Sequence, residues 1–211
     1  RQMCIRDSPI RPEISKYKKD YKTHHQDGFL NLLIFGGSQG ASFFSDIIPD
    51  SINKLDNTKK SLLRVFHQVR INEFERVKKC YHSMNVKSEV KTFFYNLPEL
   101  LNKSHLLISR SGASTVAEVA ATKTPAIFIP FQHSIDDDQR LNTIELEKIG
   151  QVIVKNEKKL DSNQLYKVID ELIEKPEILE NMAKANKEIV VNNSSEKIRS
   201  IIDDLLSNRE L

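Results

Sequence analysis

The chain has 211 residues, is 39% hydrophobic and 29% charged, and carries a formal net charge of +3. That is enough for one or two domains with a real core, and the charge is too mild for a nucleic-acid binder, though it suits anionic ligands or an anionic membrane surface. Two cysteines, Cys4 and Cys80, make no disulfide framework and fit a reducing cytoplasm, and the longest apolar runs, such as Ala126–Ile129, are far too short to cross a membrane.

No signal peptide is visible. The chain begins at Arg1, and residues 1–7, RQMCIRD, match no usable pattern. A fragment is expected, with a non-native or disordered start. Residues 8–28 are polar, hold Pro9 and Pro12, and read as a linker into a domain spanning 29–211.

Phe29–Phe35 is the first strand candidate. It runs into Gly36-Gly-Ser-Gln-Gly-Ala41 and a helical stretch to about Leu55. Three glycines allow a sharp turn and close approach to a ligand, and the following helix start is a ready anion site. The loop lacks the full G-x-G-x-x-G spacing and the lysine of a P-loop, so a tight turn with a serine cap fits it equally well. Leu62–His67 is a second strand, followed by a charged helix near Asn72–Met84. Val86–Phe94 is a third, with a short helix from about Leu97. Leu106–Ser109 is a fourth.

After the fourth strand comes Arg110-Ser-Gly-Ala-Ser-Thr-Val-Ala-Glu118. A helix starting near Ala113 leaves the amides of Ser114 and Thr115 without intrahelical acceptors. Glu118 shares their face, roughly 5–6 Å deeper along the axis, where a sugar next to a helix-tip phosphate would sit. Taken alone, Thr115-Val-Ala-Glu118 reads first as a capping box, in which Glu118 turns back to its own helix start.

Ala126–Pro130 is the fifth strand. It leads into a loop that collects Gln132, His133, Asp136, Asp137, Asp138, Gln139, Arg140 and Asn142, then a helix at about Asp138–Lys148. The acidic triplet suits a helix start and lacks the alternating spacing of a calcium loop, so no metal is expected. Gln139 and Asn142 both donate and accept, which suits a sugar. Gln151–Val154 is the sixth strand. Helices follow at about 162–174, 176–191 and 195–206. Alternating strands and helices predict an α/β fold, a Rossmann-like three-layer parallel sheet of about six strands with C-terminal helices. Ligands are expected at the carboxyl ends of the strands. No Ser-His-Asp order, metal cluster or reactive-cysteine setting stands out. The residues alone describe a binder of a phosphorylated, sugar-bearing ligand.

GGSQGA, RSGASTVAE, PFQH and DDQRLN, in this order after successive strands, resemble the C-terminal half of the MurG family. These are the N-acetylglucosaminyltransferases that make lipid II from lipid I in peptidoglycan synthesis. SPIRPEI at 8–14 is similar to the family's lead into that half. The resemblance covers roughly residues 8–211 and implies the donor-binding half of an inverting GT-B glycosyltransferase that uses UDP-N-acetylglucosamine and no cofactor. It implies that Ser38 and Gln39 face the diphosphate and sugar, and that Arg11 lies near the nucleotide. The backbone of Phe94 would read the uracil edge. Gly112 would allow close approach, Ser114 and Thr115 would offer amides to phosphate, Glu118 would hold the ribose, and Gln139 would contact the sugar. It places the lipid I acceptor site, the catalytic base and the contact with the cytoplasmic face of the bacterial inner membrane in an N-terminal domain outside this sequence. The last helix, about 195–206, is expected to pack toward that domain. No nucleic-acid partner is expected. The chain departs from the family pattern at Val69-Arg70 after His67-Gln68, and at Asp138. Another GT-B UDP-sugar transferase, a UDP-N-acetylglucosamine epimerase and a non-catalytic nucleotide-sugar-binding domain remain alternatives.

Overall fold

The computed structural model describes residues 10–16, 28–37, 42–132, 137–186 and 194–207. The strands are β1 (Leu30–Phe35), β2 (Leu63–Gln68), β3 (Lys87–Lys91), β4 (Leu106–Ser109), β5 (Ala126–Phe128) and β6 (Val152–Val154). They pair in parallel in the order β3-β2-β1-β4-β5-β6. The connections between them carry helices α1 (Ser42–Asn53), α2 (Asn57–Leu62), α3 (Phe74–Ser83), α4 (Leu97–Lys103), α5 (Ala113–Thr122), α6 (Asp138–Leu141) and α7 (Ile144–Lys148). Helices α8 (Ser162–Glu174), α9 (Pro176–Ala185) and α10 (Ser194–Ser207) follow β6.

The central strands are apolar on both faces, as a sheet covered on both sides requires. Leu30, Leu32 and Ile34 of β1 pack on one side with Phe44 and Ile48 of α1, Val77 of α3, Leu165 of α8 and Leu179 of α9. Leu33 and Phe35 point the other way, toward Leu101 of α4, Val116 and Val119 of α5, Leu146 of α7 and Ile14. Ile14 belongs to a short 3-10 turn, Pro12–Lys16, so the segment expected as a linker is in part docked against the sheet's second face.

Three local differences from the sequence reading have physical causes. α2 is polar apart from Leu62 at its end and offers no apolar period; it is held by an N-cap, with Asp56 Oδ1 accepting from the Lys59 amide at 2.8 Å. The helix expected over 138–148 breaks in two. The Asn142 side chain donates to the Ser111 carbonyl at 3.1 Å, and the Thr143 amide and hydroxyl both donate to the Arg140 carbonyl. The third strand stops at Lys91, and 92–96 leave the sheet, taking Phe94 into the core.

Candidate nucleotide-sugar site

The sheet order reverses between β1 and β4, and the loops leaving those strands flank the resulting crevice. On one side lies Gly37, with φ of +89°, a left-handed conformation that favours glycine. Gln68 at the end of β2 donates from Nε2 to the Gly37 carbonyl at 3.3 Å. On the other side α5 begins. Its N-cap is Gly112, which has no side chain with which to cap it. The first intrahelical bond runs from the Val116 amide to the Gly112 carbonyl, so the amides of Ala113, Ser114 and Thr115 precede the helix ladder and form its positive end. Among the described residues, a Cβ added at Gly112 would meet nothing within 4 Å. Packing among those residues therefore does not require glycine there.

Glu118 lies one turn further in and is only 4% exposed. Its carboxylate does not fold back on the helix start, so the capping-box reading is wrong: with Gly112 as N-cap, Thr115 and not Glu118 occupies the capping-box position. Both oxygens instead accept from Arg11, Oε1 from Nε at 2.6 Å and Oε2 from Nη2 at 2.5 Å. This is a bidentate, charge-assisted pair. The hydrogen bond to Glu118 raises the pKa of Arg11 above its ordinary value, against a smaller opposing effect of burial. Arg11 is anchored by its own turn, with the Ile14 amide donating to the Arg11 carbonyl at 2.9 Å.

A cavity of about 330 Å³ is lined by Arg11, Phe35, Gly37, Gln68, Phe93, Phe94, Leu97, Ser114, Thr115 and Glu118. Five of the expected site residues thus meet in one place: Arg11, Phe94, Ser114, Thr115 and Glu118. Gly112 adjoins them as the α5 cap. Gln139 stands outside this lining; its Oε1 accepts from the Phe131 amide at 2.9 Å. Ser38 and Gln39 lie outside the described residues, as do His133 and Asp136. A second cavity, of about 350 Å³, opens beyond β5 and β6 between Phe131, Arg140, Lys155 and Glu157.

The sequence reading gave no role to Phe93 or the buried Arg110, and named His67-Gln68 only beside the departure at Val69-Arg70. It did not foresee the pair made by His67 and Tyr81. They are fully buried, with His67 Nδ1 and the Tyr81 hydroxyl 2.9 Å apart. Burial pushes the His67 pKa down to about 3 and raises that of Tyr81. A neutral imidazole inside the sheet's first core is a structural partner for a phenol, not a base facing the crevice. Among the described residues no group of three or more His, Cys, Asp or Glu is placed to hold a metal ion, and no helix is long and apolar enough to cross a membrane.

A doubly wound parallel sheet with a helix start and a buried carboxylate at its switch point is the frame of an α/β domain that takes ligands at the carboxyl ends of its strands. Residues 31–205 match the glycosyltransferase family 28 C-terminal domain, and the chain belongs to that family. Among curated relatives, the UDP-N-acetylglucosamine--N-acetylmuramyl-(pentapeptide) pyrophosphoryl-undecaprenol N-acetylglucosamine transferase of Chelativorans sp. (strain BNC1) is 34% identical over 201 residues, 95% of this chain and 54% of the relative. The enzyme of the same name from Rhizobium etli (strain CIAT 652) is 37% identical over 183 residues, 85% of this chain and 48% of the relative. The chain thus spans about half the length of the curated relatives it matches. The crystal structure of Acinetobacter baumannii MurG superposes with a TM-score of 0.75 at 26% identity, covering 88% of this chain and 55% of that one. A UDP-GlcNAc 2-epimerase from Neisseria meningitidis shares the fold, at a TM-score of 0.58 and 19% identity over 87% of this chain and 45% of that one.

Proposed function

We propose that this chain is the donor-binding half of a GT-B transferase that moves N-acetylglucosamine from UDP-N-acetylglucosamine to lipid I, as the names of its relatives describe for them. One observation carries the reading: the α5 amides, the Glu118 carboxylate, Arg11 and Phe94 converge on one cavity at the switch point of a parallel sheet. In this reading the diphosphate lies on the amides of Ser114 and Thr115, beside Ser38 and Gln39. The ribose hydroxyls donate to Glu118, whose oxygens keep lone pairs beyond those that Arg11 uses. The backbone of Phe94 meets the uracil edge, and Gln139 meets the sugar.

The reaction is a direct displacement at the anomeric carbon with inversion. The departing UDP gains negative charge where the helix amides already point, so that charge is stabilised without reorganisation. The acceptor hydroxyl loses its proton to a base contributed by the other half of the enzyme. That half would also bind lipid I and rest on the cytoplasmic face of the inner membrane. Ile201, Ile202, Leu205 and Leu206 of α10 form an exposed apolar face in keeping with packing toward it.

Calorimetric titration of the chain with UDP-N-acetylglucosamine, UDP and uridine tests this. Binding of the first two, with uridine much weaker, is expected. No binding of UDP by the folded chain refutes the reading, and equal affinity for uridine and UDP refutes the phosphate role of the α5 start.

A further inference from the structure

Arg110 opens the turn between β4 and α5 and is only 8% exposed. A guanidinium withdrawn from water is tolerated only when its donors are matched. Here Nη1 donates to the carbonyls of Ile129 at 3.0 Å and Pro130 at 3.2 Å, and to Glu157 Oε2 at 2.8 Å. Nη2 donates to Glu157 Oε1 at 2.7 Å. The same group lies over the rings of Phe44, Phe131 and Phe43, at 5.0, 5.3 and 5.7 Å from their centroids. These partners come from three different places: the start of α1, the loop after β5, and the turn after β6.

We infer that Arg110 is the positioning residue for the sugar end of the donor site, acting through the backbone at 129–131 and the Gln139 side chain of α6. The path is continuous. Pinning the Ile129 and Pro130 carbonyls fixes the next amide, that of Phe131, which donates to Gln139 Oε1 at 2.9 Å. The Gln139 carbonyl in turn accepts from the Ser111 hydroxyl at 2.8 Å, and the Ser111 carbonyl accepts from the Asn142 side chain. Ser111 follows Arg110 directly, so the ring of contacts closes on itself: Arg110, the 129–131 backbone, Gln139, Ser111. It joins the turn that starts α5 to the loop that starts α6. Arg110 does not line the cavity of Arg11 and Glu118, so the nucleoside end is held separately. Lysine cannot do this work, because one ammonium has no planar fork to meet two carboxylate oxygens and two carbonyls together.

The inference rests on the donor reading above and is tested apart from it. UDP-N-acetylglucosamine and UDP are titrated into the unmodified chain, Arg110→Met and Glu157→Gln, with thermal melting to check that each is folded. The ratio of the two affinities isolates the sugar contribution. In Arg110→Met that ratio shifts against UDP-N-acetylglucosamine by about tenfold, while UDP affinity stays within about twofold. Glu157→Gln removes one anchor of the guanidinium, leaves the loops intact, and shifts the ratio the same way by a smaller factor; it serves if Arg110→Met does not fold. An unchanged ratio in a folded variant, whether both ligands weaken together or neither does, overturns the positioning role and leaves the donor reading standing. Failure of the unmodified chain to bind either ligand overturns the donor reading and this inference with it.

Discussion

Replacing Glu118 by alanine should abolish the chain's recognition of the ribose hydroxyls while leaving the fold intact. The Glu118 carboxylate is almost fully buried, whereas the Arg11 side chain is 41% exposed. Losing the carboxylate therefore leaves a guanidinium that water reaches, and the stability cost falls to about 1 kcal/mol, well below that of breaking a fully buried pair. The ligand loses more. Hydrogen bonds from ribose hydroxyls to a carboxylate are charge-assisted, and their removal weakens UDP by about 1–3 kcal/mol, roughly 5- to 150-fold. The decisive measurement is a cycle of titrations, with UDP and 2′,3′-dideoxy-UDP on the unmodified chain and on Glu118→Ala. The unmodified chain discriminates between the ligands by about that factor, and the variant binds both alike. Discrimination that persists in a folded Glu118→Ala means another group holds the ribose, and the assignment is wrong.

Gly112→Ala separates packing from ligand approach. Open space around a Cβ and a φ of −61° predict a stability change under about 1 kcal/mol by urea unfolding, yet UDP affinity falls at least about tenfold as the methyl intrudes on the phosphate. His67 makes stability pH-dependent. The unfolded imidazole takes up a proton near pH 6.5 and the folded one only near 3, so the contribution is complete above about pH 6.5 and is lost as pH falls toward 3. Between pH 7 and 5, His67→Asn should lose about 2 kcal/mol less unfolding free energy than the unmodified chain. Asp161→Ala removes the capping box at the start of α8, where Asp161 accepts from the Gln164 amide at 2.7 Å. It should cost about 1 kcal/mol by thermal melting without touching ligand affinity.

The strands were legible because each is a short apolar run between polar, helix-periodic segments; β4 and α8 fall where the sequence places them. The same logic fails for α2, whose only signal is the cap at Asp56, and for the third strand, where Phe94 continues the β-like composition but turns away into the core. At the site, local chemistry was readable and long-range chemistry was not. The α5 amides follow from helix geometry alone. The partner of Glu118 lies 107 residues away, and no spacing rule reaches it. The capping box expected at Thr115–Glu118 is absent, whereas a true one stands unremarked at Asp161–Gln164, because one pattern serves both a helix start and a site. Arg110 sat in plain view within RSGAS, and its work appears only when loops from β5 and β6 close around it.

The backbone reversals divide the molecule in a way useful for handling it. Left-handed residues occur at Gly28, Asn85, Lys123 and Gly150, each one or two positions before the residue that leads into β1, β3, β5 or β6. The last three make tight corners at the end of the sheet opposite the crevice, and no side chain lining the 330 Å³ cavity comes from any of the four. That end is a natural mounting surface. A fluorophore or an immobilisation handle placed at Lys123 would leave the 330 Å³ cavity facing open solvent, an oriented surface on which the proposed nucleotide-sugar binding can be read out.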